Sequence, residues 1–132
     1  MTIEHKDVNF EDARGTITDI FVKNPKDHCT IIVTKKGAIR GNHYHKRSRQ
    51  HDFIISGSFE AYGQKVGESE VTKVLLQPYD LATWEPNEAH EFVALEDTTF
   101  LTFIDGPRGG EEYEGDTYRL EVPLHEQYKA QN

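Results

Sequence analysis

Residues 37–57 read GAIRGNHYHKRSRQHDFIISG. His43 and His45 stand two apart, so on a strand both imidazoles point to the same side. Arg40 comes just before them, and the basic run Lys46, Arg47 and Arg49 follows at once. The apolar stretch up to Ser56 then ends in a Ser-Gly-Ser turn around Gly57. This is a strand, a polar crossing and a second strand, with two histidines on one face.

The same rhythm extends in both directions. Upstream, Gly15–Val22 and Cys29–Thr34 are rich in β-branched residues and read as strands, separated by the turn chemistry of Asn24-Pro25-Lys26-Asp27. Lys36-Gly37 turns the chain into a strand over Ile39–His45. Downstream, Asp52–Ser56 and Phe59–Tyr62 form a hairpin, Gly63–Glu70 is polar and loop-like, and Val71–Leu76, Leu81–Trp84, Glu91–Leu95 and Thr99–Ile104 are further strands. Short strands with frequent turn signals predict an all-β sandwich or barrel rather than βαβ units. Helical periodicity is confined to the last few residues. Residues 105–116, DGPRGGEEYEGD, predict a long surface loop, and Thr117–Leu120 a final strand placed to join a neighbour's sheet. Phe53, Ile54, Ile55, Phe92, Val93, Phe100, Leu101 and Phe103 are the expected core and barrel wall. With 132 residues, the chain is read as a single domain over residues 1–132.

Charge and composition narrow the function. A formal net charge of −8 argues against a nucleic-acid or membrane-surface binder. Residues 29–51 nevertheless hold six cations and no acid, while residues 80–126 hold thirteen acids against Arg108 and Arg119. A basic island around the paired histidines suits a small anionic ligand. The single cysteine, Cys29, excludes an intrachain disulfide framework and has no motif around it for a nucleophile. With no apolar signal segment, a cytoplasmic protein is expected.

The spacing of Gly37, His43, His45, Gln50 and Gly57 resembles the first cupin motif, G-x5-H-x-H-x4-E-x6-G, with Gln50 where the family usually has glutamate. Residues 79–94, running through Trp84-Glu85-Pro86 to His90, are similar to the second cupin motif and supply a third histidine. The resemblance implies a cupin double-stranded β-helix, a jelly-roll barrel in which His43, His45 and His90 point into one cavity, and a homodimer. Three neutral imidazoles form a standard site for a divalent metal such as Fe, Ni, Mn or Zn. Glutamine at position 50 is a poorer ligand than glutamate, so a metal-free site is the other reading. His51, adjacent in register, points away from the face of Gln50.

Arg40-Gly41-Asn42-His43-Tyr44-His45-Lys46 with Gln50 is also similar to the R-G-x-H-A-H-K-x3-Q motif of the dTDP-4-keto-6-deoxyhexose 3,4-ketoisomerases, and to the R-G-x-H-Y-Q of the dTDP-4-dehydrorhamnose 3,5-epimerases. Asp12-Ala13-Arg14-Gly15-Thr16-Ile17 resembles the D-x-R-G opening common to both. The resemblance implies an isomerase or epimerase acting on a nucleotide-linked keto sugar, in surface-polysaccharide or deoxysugar biosynthesis, with no cofactor. It implies His43 and His45 as catalytic residues, Arg14 and Arg40 on the phosphates, and Lys46 and Gln50 as further substrate contacts, while Trp84 reads either as a stacking surface for a base or sugar ring or, more often in a barrel of this size, as a core filler. A proton beside a ketone needs a base poised near neutrality, which histidine provides, and arginine fits a diphosphate bidentately. The catalytic tyrosine of these families has no placed counterpart; Tyr62, Tyr79 and Tyr113 are the candidates. Two other readings stay open: a metal-dependent oxygenase or lyase on the three histidines, and a sugar- or metabolite-binding cupin without turnover.

Overall fold

The structure, a computed structural model, describes residues 1–107 and 114–132. The strands are β1 (Thr2–His5), β2 (Phe10–Asp12), β3 (Gly15–Ile17), β4 (His28–Thr34), β5 (Ile39–Tyr44), β6 (Arg49–Ser56), β7 (Phe59–Lys65), β8 (Thr72–Leu76), β9 (Asp80–Trp84), β10 (Glu88–Ala94), β11 (Thr98–Asp105) and β12 (Tyr118–Arg119). A 3₁₀ turn at Glu114–Asp116 precedes β12, and α1 (Leu124–Gln131) follows it. Two five-stranded antiparallel sheets face each other, in the orders β1-β9-β6-β11-β4 and β12-β5-β10-β7-β8, with β2 and β3 as a separate hairpin. This is the jelly-roll barrel the motif spacing predicts.

Period-two alternation makes the two layers. On β11, Thr98, Phe100, Thr102 and Ile104 are buried while the residues between them are only partly so. Ile54, Phe59, Ala61, Leu76, Ala82, Trp84, Phe92, Ala94 and Phe100 form the core between the sheets. Burying each large aromatic among them contributes about 2–3 kcal/mol. Gly57 adopts φ +88° in the β6–β7 turn, where a Cβ would overlap the Asp97 carbonyl and Thr98. That close approach is why the motif ends on glycine.

A second cluster lies on the outer side of the β5–β10–β7 surface. Leu124 of α1 packs there with Tyr62, Val71 and Ala89, and with the partly buried Tyr44 and Tyr128. Several expectations change. Residues 2–5 form a strand despite mixed polarity, held to β9 by backbone pairing with every side chain exposed. The strand expected over Gly15–Val22 keeps only its first three residues, because β2 is its sole partner. Residues 63–65 continue β7, paired with the start of β10. Residues 118–119 complete the edge of the chain's own sheet against β5 rather than a neighbour's. Ile55 is 39% exposed and belongs to the outer face, not the core. No helix among the described residues is long and apolar enough to cross a membrane.

Candidate active site

The three histidines meet. His43 on β5 is the direct cross-strand partner of His90 on β10, and their ring centroids are 4.8 Å apart. His45, just past β5, lies 5.0 Å from His43 and 5.5 Å from His90 by the same measure. All three are buried, and one ligand atom from each falls within 4.8 Å of the others.

A cavity of about 240 Å³ opens beside this cluster. His43, His90, Gln50 and Thr102 line its polar part, Phe92, Phe100, Ile32 and Ile39 its apolar part, and Arg40 and Arg119 contribute two guanidinium groups. No carboxylate lines it among the described residues. In a chain of net charge −8, the polar lining among the described residues is two guanidinium groups, two imidazoles, an amide and a hydroxyl. Such a wall favours an anion.

Beneath Gln50 lies Asp52, fully buried on the same face of β6. Its carboxylate accepts from Gln50 Nε2 at 3.0 and 3.1 Å, from Trp84 Nε1 at 3.1 Å and from the Thr102 hydroxyl at 2.7 Å. Three donors compensate a charge that would otherwise be costly to bury. This also accounts for glutamine at position 50. A glutamate there would set a second carboxylate against Asp52, whereas the amide donates to it. With the NH₂ group so committed, Gln50 Oε1 is buried in the cavity wall without a hydrogen-bond partner among the described residues.

His45 is held from the other side. Its Nδ1 lies 2.8 Å from the Asp116 carbonyl oxygen, an acceptor only, so Nδ1 carries the donated hydrogen. The Asp116 carboxylate accepts the backbone N–H groups of Lys46, Arg47 and Ser48 at 3.0–3.3 Å. Burial alone would raise its pKa, but these hydrogen bonds together outweigh it and hold the carboxyl below the usual range. Asp116 thereby ties the start of β12 to the basic turn after the histidines, and β12 sets Arg119 opposite His43.

Of the residues expected at the site, His43, His90, Gln50 and Arg40 line the cavity. Arg40 also donates to Thr34 Oγ1 at 2.7 Å and to the Val33 carbonyl at 3.1 Å. His45 belongs to the histidine cluster but not to the cavity wall. Lys46 turns away and places Nζ 4.3 Å from the Tyr118 ring centroid. Trp84 is a core residue, 1% exposed, whose indole supports Asp52 and packs 5.2 Å from His90. Arg14 stands in the β2–β3 hairpin with its side chain 87% exposed and paired to Asp12 at 2.6 Å, outside the cavity wall.

The tyrosine candidates are likewise elsewhere. Tyr62 lies under α1 and donates to Glu60, burial and that contact pushing its pKa up to about 12. Tyr79 packs on Phe53, and Tyr113 is outside the described residues. His51 faces outward as expected, with Lys26 Nζ, Asp105 and Thr83 around it.

Sequence reading missed Arg119, Thr102 and Asp116, and offered Asp52 only as a replacement ligand for the position of Gln50. Arg119 had one signal, as one of two cations in the acidic half of the chain. Thr102 is two residues from Phe100 and shares its face by strand alternation. Asp116 had none, since its partners are about seventy residues away.

A jelly-roll barrel with a histidine-lined cavity defines the cupin class. Residues 10–118 match the family model described as the polysaccharide biosynthesis C-terminal domain, so the chain belongs to that family. No curated protein sequence matches it. Among solved structures, dTDP-4-dehydrorhamnose 3,5-epimerase from Sulfolobus tokodaii is 21% identical with a TM-score of 0.69, covering 89% of this chain and 81% of that one. The dTDP-6-deoxy-D-glucose-3,5-epimerase of Legionella pneumophila, in complex with dTDP-4-keto-L-rhamnose, has a TM-score of 0.74 at 16% identity, over 96% and 74% of the two chains. The capsular polysaccharide assembling protein CapF of Staphylococcus aureus has a TM-score of 0.65 at 21% identity over 89% of this chain. The chain spans about a third of the length of CapF, 34%. These likenesses establish a shared fold.

Proposed function

We propose that the protein is an isomerase or epimerase acting on a nucleotide-linked keto sugar by histidine-mediated proton transfer, in surface-polysaccharide or deoxysugar biosynthesis. The observation that carries this reading is the cavity wall itself: two facing imidazoles, two guanidinium groups and, among the described residues, no carboxylate. Membership of a polysaccharide-biosynthesis family and a fold shared with dTDP-sugar epimerases agree with it.

In this reading His43 takes the proton α to the sugar ketone, with His45 packed against it and His90 facing it. Proton transfer to a placed imidazole is worth about 10²–10⁴ in rate. Arg40 and Arg119 bind the diphosphate, and their positive potential favours the negative charge of the enolate. Phe92 and Phe100 form the apolar part of the wall. The protein acts in the cytoplasm on this small substrate, with no nucleic-acid or membrane partner, in keeping with its net charge of −8 and single cysteine, and as a homodimer, in keeping with the cupin resemblance.

Binding of dTDP or a dTDP-4-keto-6-deoxyhexose to the folded state raises the melting temperature as concentration passes the dissociation constant. Deuterium then enters the sugar from solvent at the carbon beside the ketone. No thermal shift across a panel of nucleoside diphosphates and their sugars would overturn the reading. Binding without deuterium exchange would indicate the non-catalytic module.

One observation favours a second reading. The ligand atoms of His43, His45 and His90 lie within 4.8 Å of one another, a spacing that fits a divalent metal, and Gln50 Oε1, in the same cavity wall as His43 and His90, adds an oxygen to these three nitrogens. These residues would hold Fe, Ni, Mn or Zn, which when bound would supply Lewis-acid chemistry. Elemental analysis of protein purified without an affinity tag decides between the two. Stoichiometric metal that disappears in His43→Ala supports the metal site.

A further inference from the structure

The pairing of β5 with β10 contains an extra residue. Phe92 faces Arg40, Glu91 faces Gly41 and His90 faces His43, so two steps along β10 correspond to three along β5. The residue without a counterpart is Asn42, at φ +58° in the left-handed region that few non-glycine residues adopt. On a regular strand Arg40 and His43, three apart, would point to opposite faces. The bulge at Asn42 turns both into the cavity.

Gly41 and Asn42 are residue types that admit this shape locally, and distant residues hold it. Asn42 Nδ2 donates to Glu91 Oε1 at 2.6 Å. Its Oδ1 accepts the Leu124 N–H at 2.9 Å, and its backbone carbonyl accepts the Leu120 N–H at 2.9 Å. Glu91 is fully buried on the outer face, where it also accepts the His125 N–H at 3.0 Å and lies 2.7 Å from His125 Nδ1. Gly41 completes the bulge, since a Cβ there would meet the His90 carbonyl oxygen at 2.5 Å and the Glu91 Cα at 3.1 Å.

We infer that Asn42 and Glu91, secured by the first turn of α1, are positioning residues that aim His43 and Arg40 into the cavity from the opposite face of the sheet. Neither lines the cavity, so they act only through the strand. The inference rests on the proposed function for its meaning, because it assigns the two residues to a site whose working groups are His43 and Arg40.

The donor and acceptor pattern supplies the test. Asn42→Asp sets two carboxylates face to face, and Glu91→Gln sets an amide NH₂ against a donor, either the Asn42 amide or the His125 backbone N–H, whichever way the glutamine is turned. The double variant N42D/E91Q restores complementarity: the new carboxylate still accepts from Leu124 N–H and receives the glutamine amide, while His125 accepts at Nδ1 by changing tautomer. The readout is the imidazole Cε1–Hε1 NMR signal of His43, assigned by its loss in His43→Gln, with the exposed His5 as control. Each single variant is expected to move or split the His43 signal, leave that of His5 in place, and weaken dTDP binding about tenfold, the equivalent of one lost hydrogen bond. The double variant is expected to restore both.

An unmoved His43 signal in folded single variants overturns the inference, as does a double variant no better than either single one. Should a single variant fold too poorly to read, Asn42→Gly takes its place. It permits the same backbone conformation and adds no like charge, and an unmoved His43 signal there also overturns the inference. The NMR measurement needs no substrate. A displaced His43 with no dTDP binding in the parent protein would therefore overturn the nucleotide-sugar reading while leaving the positioning role standing.

Discussion

His43 and His90 face each other across adjacent antiparallel strands, one supplied by each half of the motif pattern, with ring centroids 4.8 Å apart. His45, two residues from His43, packs against the pair but is turned onto the Asp116 carbonyl and leaves the cavity wall to the other two. The three rings therefore have unequal surroundings, and unequal roles follow.

His43→Ala is expected to lower the rate of deuterium exchange into a dTDP-4-keto-6-deoxyhexose by about 10²–10⁴. His45→Ala and His90→Ala lower it less, with circular dichroism unchanged in all three. Equal losses that track loss of bound metal would transfer the site to the metal-dependent reading, because metal ligands act as one unit.

Arg40→Gln and Arg119→Gln each remove a charge from the cavity wall. Charged hydrogen bonds contribute about 1.5–3 kcal/mol, so each variant is expected to weaken dTDP binding roughly 10- to 100-fold by isothermal titration calorimetry. Arg119 carries the sharper test, since only the tertiary structure brings it to His43. Unchanged affinity in Arg119→Gln would remove it from the site.

Trp84→Phe tests the reassignment of that residue from ligand contact to core. Phenylalanine keeps most of the packing but cannot donate to Asp52, which leaves a buried carboxylate short of one partner. The expected cost is about 1–3 kcal/mol of stability in chemical denaturation, with dTDP affinity unchanged. Weaker binding at full stability would return Trp84 to the ligand.

His51 provides a pH-dependent stability term. Burial first, and then the charge of Lys26, hold its pKa below the ordinary value of 6.5 in the folded state, against the opposing pull of Asp105. The unfolded chain therefore binds a proton to this ring before the folded one does. Its contribution is complete above 6.5 and is lost progressively as pH falls below that value toward the folded pKa. His51→Gln is expected to flatten the fall in melting temperature over that window while leaving the steeper carboxylate-driven loss at lower pH. An unchanged profile would assign the mild-acid sensitivity to another group.

The sequence alone determined the features that depend on neighbours a few residues apart. Alternation of side chains is a property of the extended chain itself, so the strands were readable from it. The expected core, however, took Ile54 with Ile55 and Phe100 with Leu101, and only the closed barrel separated the inward face from the outward one. The resemblance of Gly37, His43, His45 and Gly57, with His90 a strand pair later, to the cupin motifs implied the jelly-roll barrel and the histidine cluster.

What only the tertiary structure decided depends on which strands become neighbours. Arg119 reached the cavity because β12 pairs with β5, and Arg14 did not because its hairpin stands apart from both sheets. Trp84 became a core residue because Asp52, on the adjacent strand, takes its indole N–H, and the same carboxylate explains glutamine at position 50. Arg40 and His43 share a face only because Asn42 forms a bulge, and its partners Glu91 and Leu124 lie 49 and 82 residues along the chain. Local propensity has no access to such contacts; they form when the sheets close.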